Sequence, residues 1–137
     1  IWVATELFSF GMLSFFYRDL KTADKKEIAS DLYKTTYGNL DSWLRCCTDL
    51  RNICAHYGRL YYRVFSAVPA TPKGFPVVLQ RSLFDNIVML KFLYPDRDRW
   101  NSEVLSAIIA LLEEYAGDIE LSHIGFPDNW EELLRAK

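Results

Sequence analysis

Apolar positions recur along this chain at three- and four-residue spacing almost throughout, the period of helices that pack on one side. From Trp2 to Leu20 they are dense enough that both sides need covering, and the pattern predicts a central helix. Asp24 and Glu27, spaced like a capping box, start a second helix that ends near Tyr37 and Gly38. A third starts between Asn39 and Ser42 and runs to Tyr57, with Gly58 as terminator or kink. Pro69, Pro72, Gly74 and Pro76 mark the stretch from Ser66 to Pro76 as loop. Ser82 and Asp85 cap a fourth helix that ends before Pro95. A fifth spans Asn101 to Ala116 and closes at Gly117, and Pro127, Asp128 and Glu131 open a short terminal one. No segment alternates as a strand does, and no repeat is visible. The expectation is an all-α bundle of five or six helices, forming a single domain over residues 1–137.

Composition supports a folded domain: half of the 137 residues are hydrophobic, 15% aromatic and 25% charged. The opening Ile-Trp-Val-Ala-Thr-Glu has no initiator Met and reads as part of a longer chain. The apolar run from Ile1 to Tyr17 is broken by Glu6 and falls short of the roughly 20 residues a membrane span needs, so no membrane partner is expected. Cys46, Cys47 and Cys54 are odd in number and clustered, a poor disulfide framework and a sign of a reducing, cytoplasmic compartment. With only His56 and His123 and no CxxC, no metal site and no cofactor are expected.

Charge changes the picture. The formal total is −2, which by itself argues against a nucleic-acid partner. Residues 39–81, however, carry six basic and two acidic side chains, and residues 82–137 five basic and eleven acidic. The basic block contains the third helix. Placed at 100° per residue from Arg45, the residues Cys47, Leu50, Cys54, Tyr57 and Tyr61 form a stripe between about 120° and 200°, a core face. Arg45, Asn52, His56, Arg59 and Arg63 fall within roughly 40° of zero, the last two only if the helix continues past Gly58. Asn52 and His56, four apart, stand side by side, whereas Arg51 lies about 140° from His56. Distortion, a long reach, or a second copy of the helix across a two-fold axis would bring that Arg and His together.

A face of Arg, Asn and His is in the ordinary case a solvated one. The single sign of the charges points instead to an anion site, where guanidinium groups hold phosphate oxygens and imidazole moves protons. Cys46 and Cys47 read as packing residues, and Cys54 as core-facing and unreactive. His123 sits in a loop with no partner legible nearby and reads as structural.

Leu50-Arg-Asn-Ile-Cys-Ala-His-Tyr-Gly-Arg-Leu-Tyr-Tyr-Arg63 resembles the signature of the Abi-like abortive-infection proteins, phage-resistance factors of the HEPN superfamily, whose motif is Arg, a polar residue, a few variable positions and His. Here that motif is Arg51-Asn52-Ile-Cys-Ala-His56. The flanks agree: Trp2-Val-Ala, then Leu7-Phe-Ser-Phe-Gly-Met-Leu-Ser14, and downstream Ile124-Gly-Phe-Pro-Asp-Asn-Trp130. The chain departs from the pattern at Tyr57, where a second His is common, and at Tyr61-Tyr62, where Trp-Asn is usual. The resemblance implies a HEPN-like fold and a metal-independent endoribonuclease acting on RNA. Its composite site would form in a homodimer through the motif helix. It implies Arg51, His56 and Asn52 as catalytic residues, with Arg45, Arg59 and Arg63 along the RNA backbone. The exposed half of the Ile1–Tyr17 helix is a further candidate interface. The alternative is a non-catalytic helical module that binds RNA or a protein with the same basic face.

Overall fold

The computed structural model describes residues 9–137, and its spine is the motif helix. Six helices and no strand occur among the described residues: α1 (Phe10–Asp19), α2 (Thr22–Tyr33), α3 (Tyr37–Ala55), α4 (Leu83–Leu93), α5, and α6 (Trp130–Leu134). Helix α5 is three abutting pieces, Arg97–Arg99, a π-helical Trp100–Leu105 and Ser106–Glu114. A 3-10 turn, Leu121–Ile124, precedes α6. This is the expected all-α bundle. No helix among the described residues is long and apolar enough to cross a membrane.

Helix α3 forms where it does because Thr36 caps it, its hydroxyl accepting from the Asn39 amide (3.2 Å). It packs against α1, α2 and α4 at once. Its buried row is Leu40, Trp43, Cys46 and Leu50, spaced three and four apart. Leu40 meets Tyr17 of α1 and Ala29 of α2, and Trp43 and Cys46 meet Met89 of α4. A larger cluster on Phe84, Val88, Trp100, Leu105, Phe126 and Leu134 joins α4, α5 and α6. The proline-rich loop is strapped onto α3: the Trp43 indole donates to the Ala70 carbonyl (2.7 Å), and the Ser42 hydroxyl accepts from the Ala70 amide (3.0 Å).

Helix α4 begins as the sequence announced. The Asp85 carboxylate accepts from the Ser82 amide (2.8 Å), and the Ser82 hydroxyl accepts from the Asp85 amide (3.1 Å), a reciprocal box that satisfies two amides. The C-terminal segment is held by side chains. The Trp100 indole donates to the Leu134 carbonyl (2.8 Å), and the Lys91 ammonium to the carbonyls of Leu133 (2.8 Å) and Arg135 (3.1 Å). The Asn101 amide group both donates to the Ala136 carbonyl (2.9 Å) and accepts from its N–H (2.9 Å).

Four helices differ from expectation. Helix α1 is not central: it lies on α3 along one side only, with Tyr17 its one buried residue and Phe15 57% exposed on the other side. The part of this prediction on residues 1–8 lies outside the described residues. Helix α2 starts at Thr22 with no side-chain cap and ends at Tyr33, because Lys34 takes the left-handed conformation (φ 52°) and frees Gly38 for the first turn of α3. Helix α5 starts at Arg97, where the Asp96 carboxylate accepts from the Arg99 amide (2.9 Å), and it stops at Glu114, short of Gly117. Helix α3 stops at Ala55, two residues early.

Gly125 closes the 3-10 turn with φ 82°, and a Cβ there would stand 2.3 Å from Ser82. Gly125→Ala is therefore expected to cost about 2–4 kcal/mol, from backbone strain and overpacking against the α4 cap. Gly117→Ala, with nothing near its Cβ position, is expected to stay within about 0.5 kcal/mol of the parent. Urea midpoints of the two variants check the contrast.

Candidate functional site

The end of α3 is a six-residue closure. The Gly58 amide donates to the Ile53 carbonyl (2.8 Å) and the Tyr57 amide to the Cys54 carbonyl (3.1 Å), the paired bonds of a Schellman cap. Tyr57, not the glycine, takes the left-handed conformation (φ 53°). Gly58 is required for another reason: a Cβ there would meet the Ile53 side chain at 2.8 Å and its carbonyl oxygen at 3.0 Å. This closure corrects the expected core stripe. Tyr57 is 98% exposed, because the helix has ended before reaching it. Cys54 keeps its angular place but is exposed.

His56 is the helix cap, with an exposed side chain. Its amide donates to the Asn52 carbonyl (3.1 Å), and its imidazole makes no hydrogen bond to any described residue. The Asn52 side chain turns the other way: Arg51 Nη1 donates to Asn52 Oδ1 (3.0 Å). Arg51 and Asn52 are thus joined, while Asn52 and His56 share a backbone bond only. Arg59 and Arg63 leave the helix face with the closure. They sit in a following turn in which the Arg63 amide donates to the Leu60 carbonyl (3.1 Å) and Arg63 Nη1 to the Arg59 carbonyl (3.3 Å). Arg45 stays on the exposed side of α3, eleven residues and about 16 Å of helix before His56.

None of the basic side chains in residues 39–81 forms an ion pair with a described residue, whereas Arg99 and Arg135 each pair with a glutamate four residues along. The arginines around the α3 end thus have no carboxylate partner among the described residues. Among the described residues no three His, Cys, Asp or Glu side chains group as metal ligands.

The turn after α3 meets a residue that the sequence reading set aside. The Tyr61 hydroxyl lies 3.3 Å from His123 Nδ1, and the Tyr62 hydroxyl 3.1 Å from His123 Nε2. Glu120 Oε2 also stands 3.1 Å from Nε2, and the Glu120 amide donates to the Tyr61 hydroxyl (3.1 Å). His123 therefore has three side-chain partners. No local signal announced them, because the two tyrosines are about sixty residues away in the chain. The ring beside Tyr62 opens on a cleft of about 790 Å³ whose polar lining includes Arg63, Arg81, Ser122 and His123.

Residues 1–62, a little under half of the chain, match the sequence model of the Abi-like protein family. The matched span takes in Arg45, Arg51, Asn52, His56 and Arg59, and stops one residue before Arg63. No curated protein and no solved structure matches the chain.

The three cysteines separate cleanly by environment. Burial pushes the Cys46 thiol up to about 11, with Asp49 adding to the rise, and burial raises Cys47 as well. Both stay protonated at pH 8, so alkylation of the native chain is expected to modify Cys54 first and to spare Cys46. Peptide mapping after brief iodoacetamide treatment, native against urea-unfolded, reads this directly.

Proposed function

We propose that this chain acts in abortive infection as a metal-independent endoribonuclease of HEPN type, at a composite site formed when two copies bring their α3 ends together. The observation that carries the reading is the exposed, unengaged imidazole of His56, one turn beyond the joined Arg51 and Asn52 and among unpaired arginines. The match of residues 1–62 to the Abi-like family supplies the abortive-infection context.

RNA brings its own nucleophile, the 2′-hydroxyl. His56 takes the proton of that hydroxyl as the oxygen attacks the adjacent phosphorus. The bond from phosphorus to the 5′-oxygen breaks, and the His56 imidazolium returns its proton to that oxygen. Arg51 holds the charge that builds on the non-bridging oxygens. Asn52, which accepts from Arg51, sets the direction of that guanidinium. Arg45, Arg59 and Arg63 contact phosphates on either side. Products are a 2′,3′-cyclic phosphate and a 5′-hydroxyl. A second copy answers the angular separation of Arg51 and His56 on one helix, since a dyad gathers what a single turn holds apart.

The competing reading is a binding module that uses the same arginines without chemistry. With purified protein in EDTA, cleavage leaving cyclic-phosphate ends is expected. His56→Ala should slow it about 10²–10⁴-fold and Arg51→Ala about 10²–10³-fold, each keeping RNA affinity within about threefold. Mixing the two inactive variants should restore part of the activity if each site draws Arg51 and His56 from different copies. RNA that stays intact in EDTA, with His56→Ala affecting neither cleavage nor growth of expressing cells, leaves the binding module instead.

A further inference from the structure

The cleft beside the turn that follows α3 is lined, apart from Arg63, by residues that the cleavage chemistry does not use. Its floor is the ring of Tyr62, 4.4 Å between centroids from His123 and tilted by 30°, with Tyr61 edge-on at 4.9 Å. Both nitrogens of His123 are engaged, so the imidazole holds Tyr62 in place on one face. Tyr62 nonetheless stays 55% exposed, which leaves its other face open to the cleft. Its backbone is held left-handed (φ 59°), a conformation a tyrosine adopts only where its surroundings enforce it. The walls bring Arg63 and Arg81 together, because the Phe65 amide donates to the Arg81 carbonyl (2.9 Å). Neither arginine pairs with a carboxylate of the described residues. Asp85, the carboxylate that lines the cleft, is buried and occupied by the Ser82 amide, so the accessible charge is positive. Val64 and Val78, largely exposed, supply an apolar rim.

An open aromatic face, two guanidinium groups without a carboxylate partner among the described residues and an apolar rim in a cleft of about 790 Å³ match the parts of one nucleotide. We infer that the cleft takes an unpaired nucleotide of the RNA, its base stacked on the Tyr62–His123 pair and its phosphate held by Arg63 and Arg81. The inference rests on RNA as the substrate and makes that RNA single-stranded at this point, since a base inside an A-form helix offers no free face. Tyr62 lies six residues after His56, which no chain stretches beyond about 21 Å, so the cleft and the cleavage site address the same short strand. An acidic peptide would satisfy the arginines but not the ring.

The test uses the full chain with a short 2′-O-methyl single strand, which has no free 2′-hydroxyl and therefore reports binding alone. Tyr62→Ala is expected to weaken binding about tenfold, and Tyr62→Phe, which keeps the ring, by less than about threefold. Arg81→Ala, an exposed loop position, should lower the slope of affinity against salt by about one. It reads the cleft even if Tyr62→Ala fails to fold. Unchanged affinity and salt slope in Arg81→Ala, with Arg59→Ala weakening the complex, overturn the inference. So does equal affinity for poly-glutamate of matched charge. A wild-type chain that binds the strand through Tyr62 but leaves ordinary RNA uncut sinks the nuclease and keeps the cleft. A chain that cuts RNA with KM unmoved by Tyr62→Ala and Arg81→Ala does the reverse.

Discussion

One hydrogen bond, from the Gly58 amide to the Ile53 carbonyl, decides how the basic residues around the end of α3 are laid out. It ends α3 in the space of a single turn, and it tolerates only glycine at the donor position because the Ile53 side chain already fills the room. Had the helix run on, Arg59 and Arg63 would have continued the row of Arg45, Asn52 and His56 along one cylinder. Because it stops, the row breaks into two groups. His56 is left at a helix end beside Arg51 and Asn52, and the chain carries Arg59 to Arg63 round a turn onto the 3-10 segment at His123. The two halves of the basic surface face different neighbours as a result.

The charge distribution follows a similar division of labour. In the C-terminal part, Arg99 and Arg135 are spent on glutamates four residues away, in exposed pairs. The cations of residues 39–81 have no such partners. The total of −2 conceals this arrangement completely.

Local signals were legible and distant ones were not. The Ser82–Asp85 box, the proline loop and the all-helical pattern were visible in the sequence because each is written within a few residues. The α2–α3 boundary was misplaced because Lys34, a residue with no special liking for the left-handed region, takes the position that Gly38 advertised. The apolar density of α1 indicated burial on both sides, yet Phe15 faces outward among the described residues. The helical wheel assigned Tyr57 to the core by extending a rotation past the point where rotation stops. His123 looked isolated because nothing within ten positions of a loop histidine predicts two tyrosines folded in from the other side of the molecule.

The end of α6 and the segment after it are gripped largely by their backbone. Trp100, Lys91 and Asn101 all reach for main-chain carbonyls, and one amide, that of Ala136, answers in return. A peptide held in this way is recognised for its path and not for its letters. Position 136 is the sensitive one: proline there has no hydrogen to give Asn101, and a bulky side chain would disturb the packing of Ala136 on the core cluster.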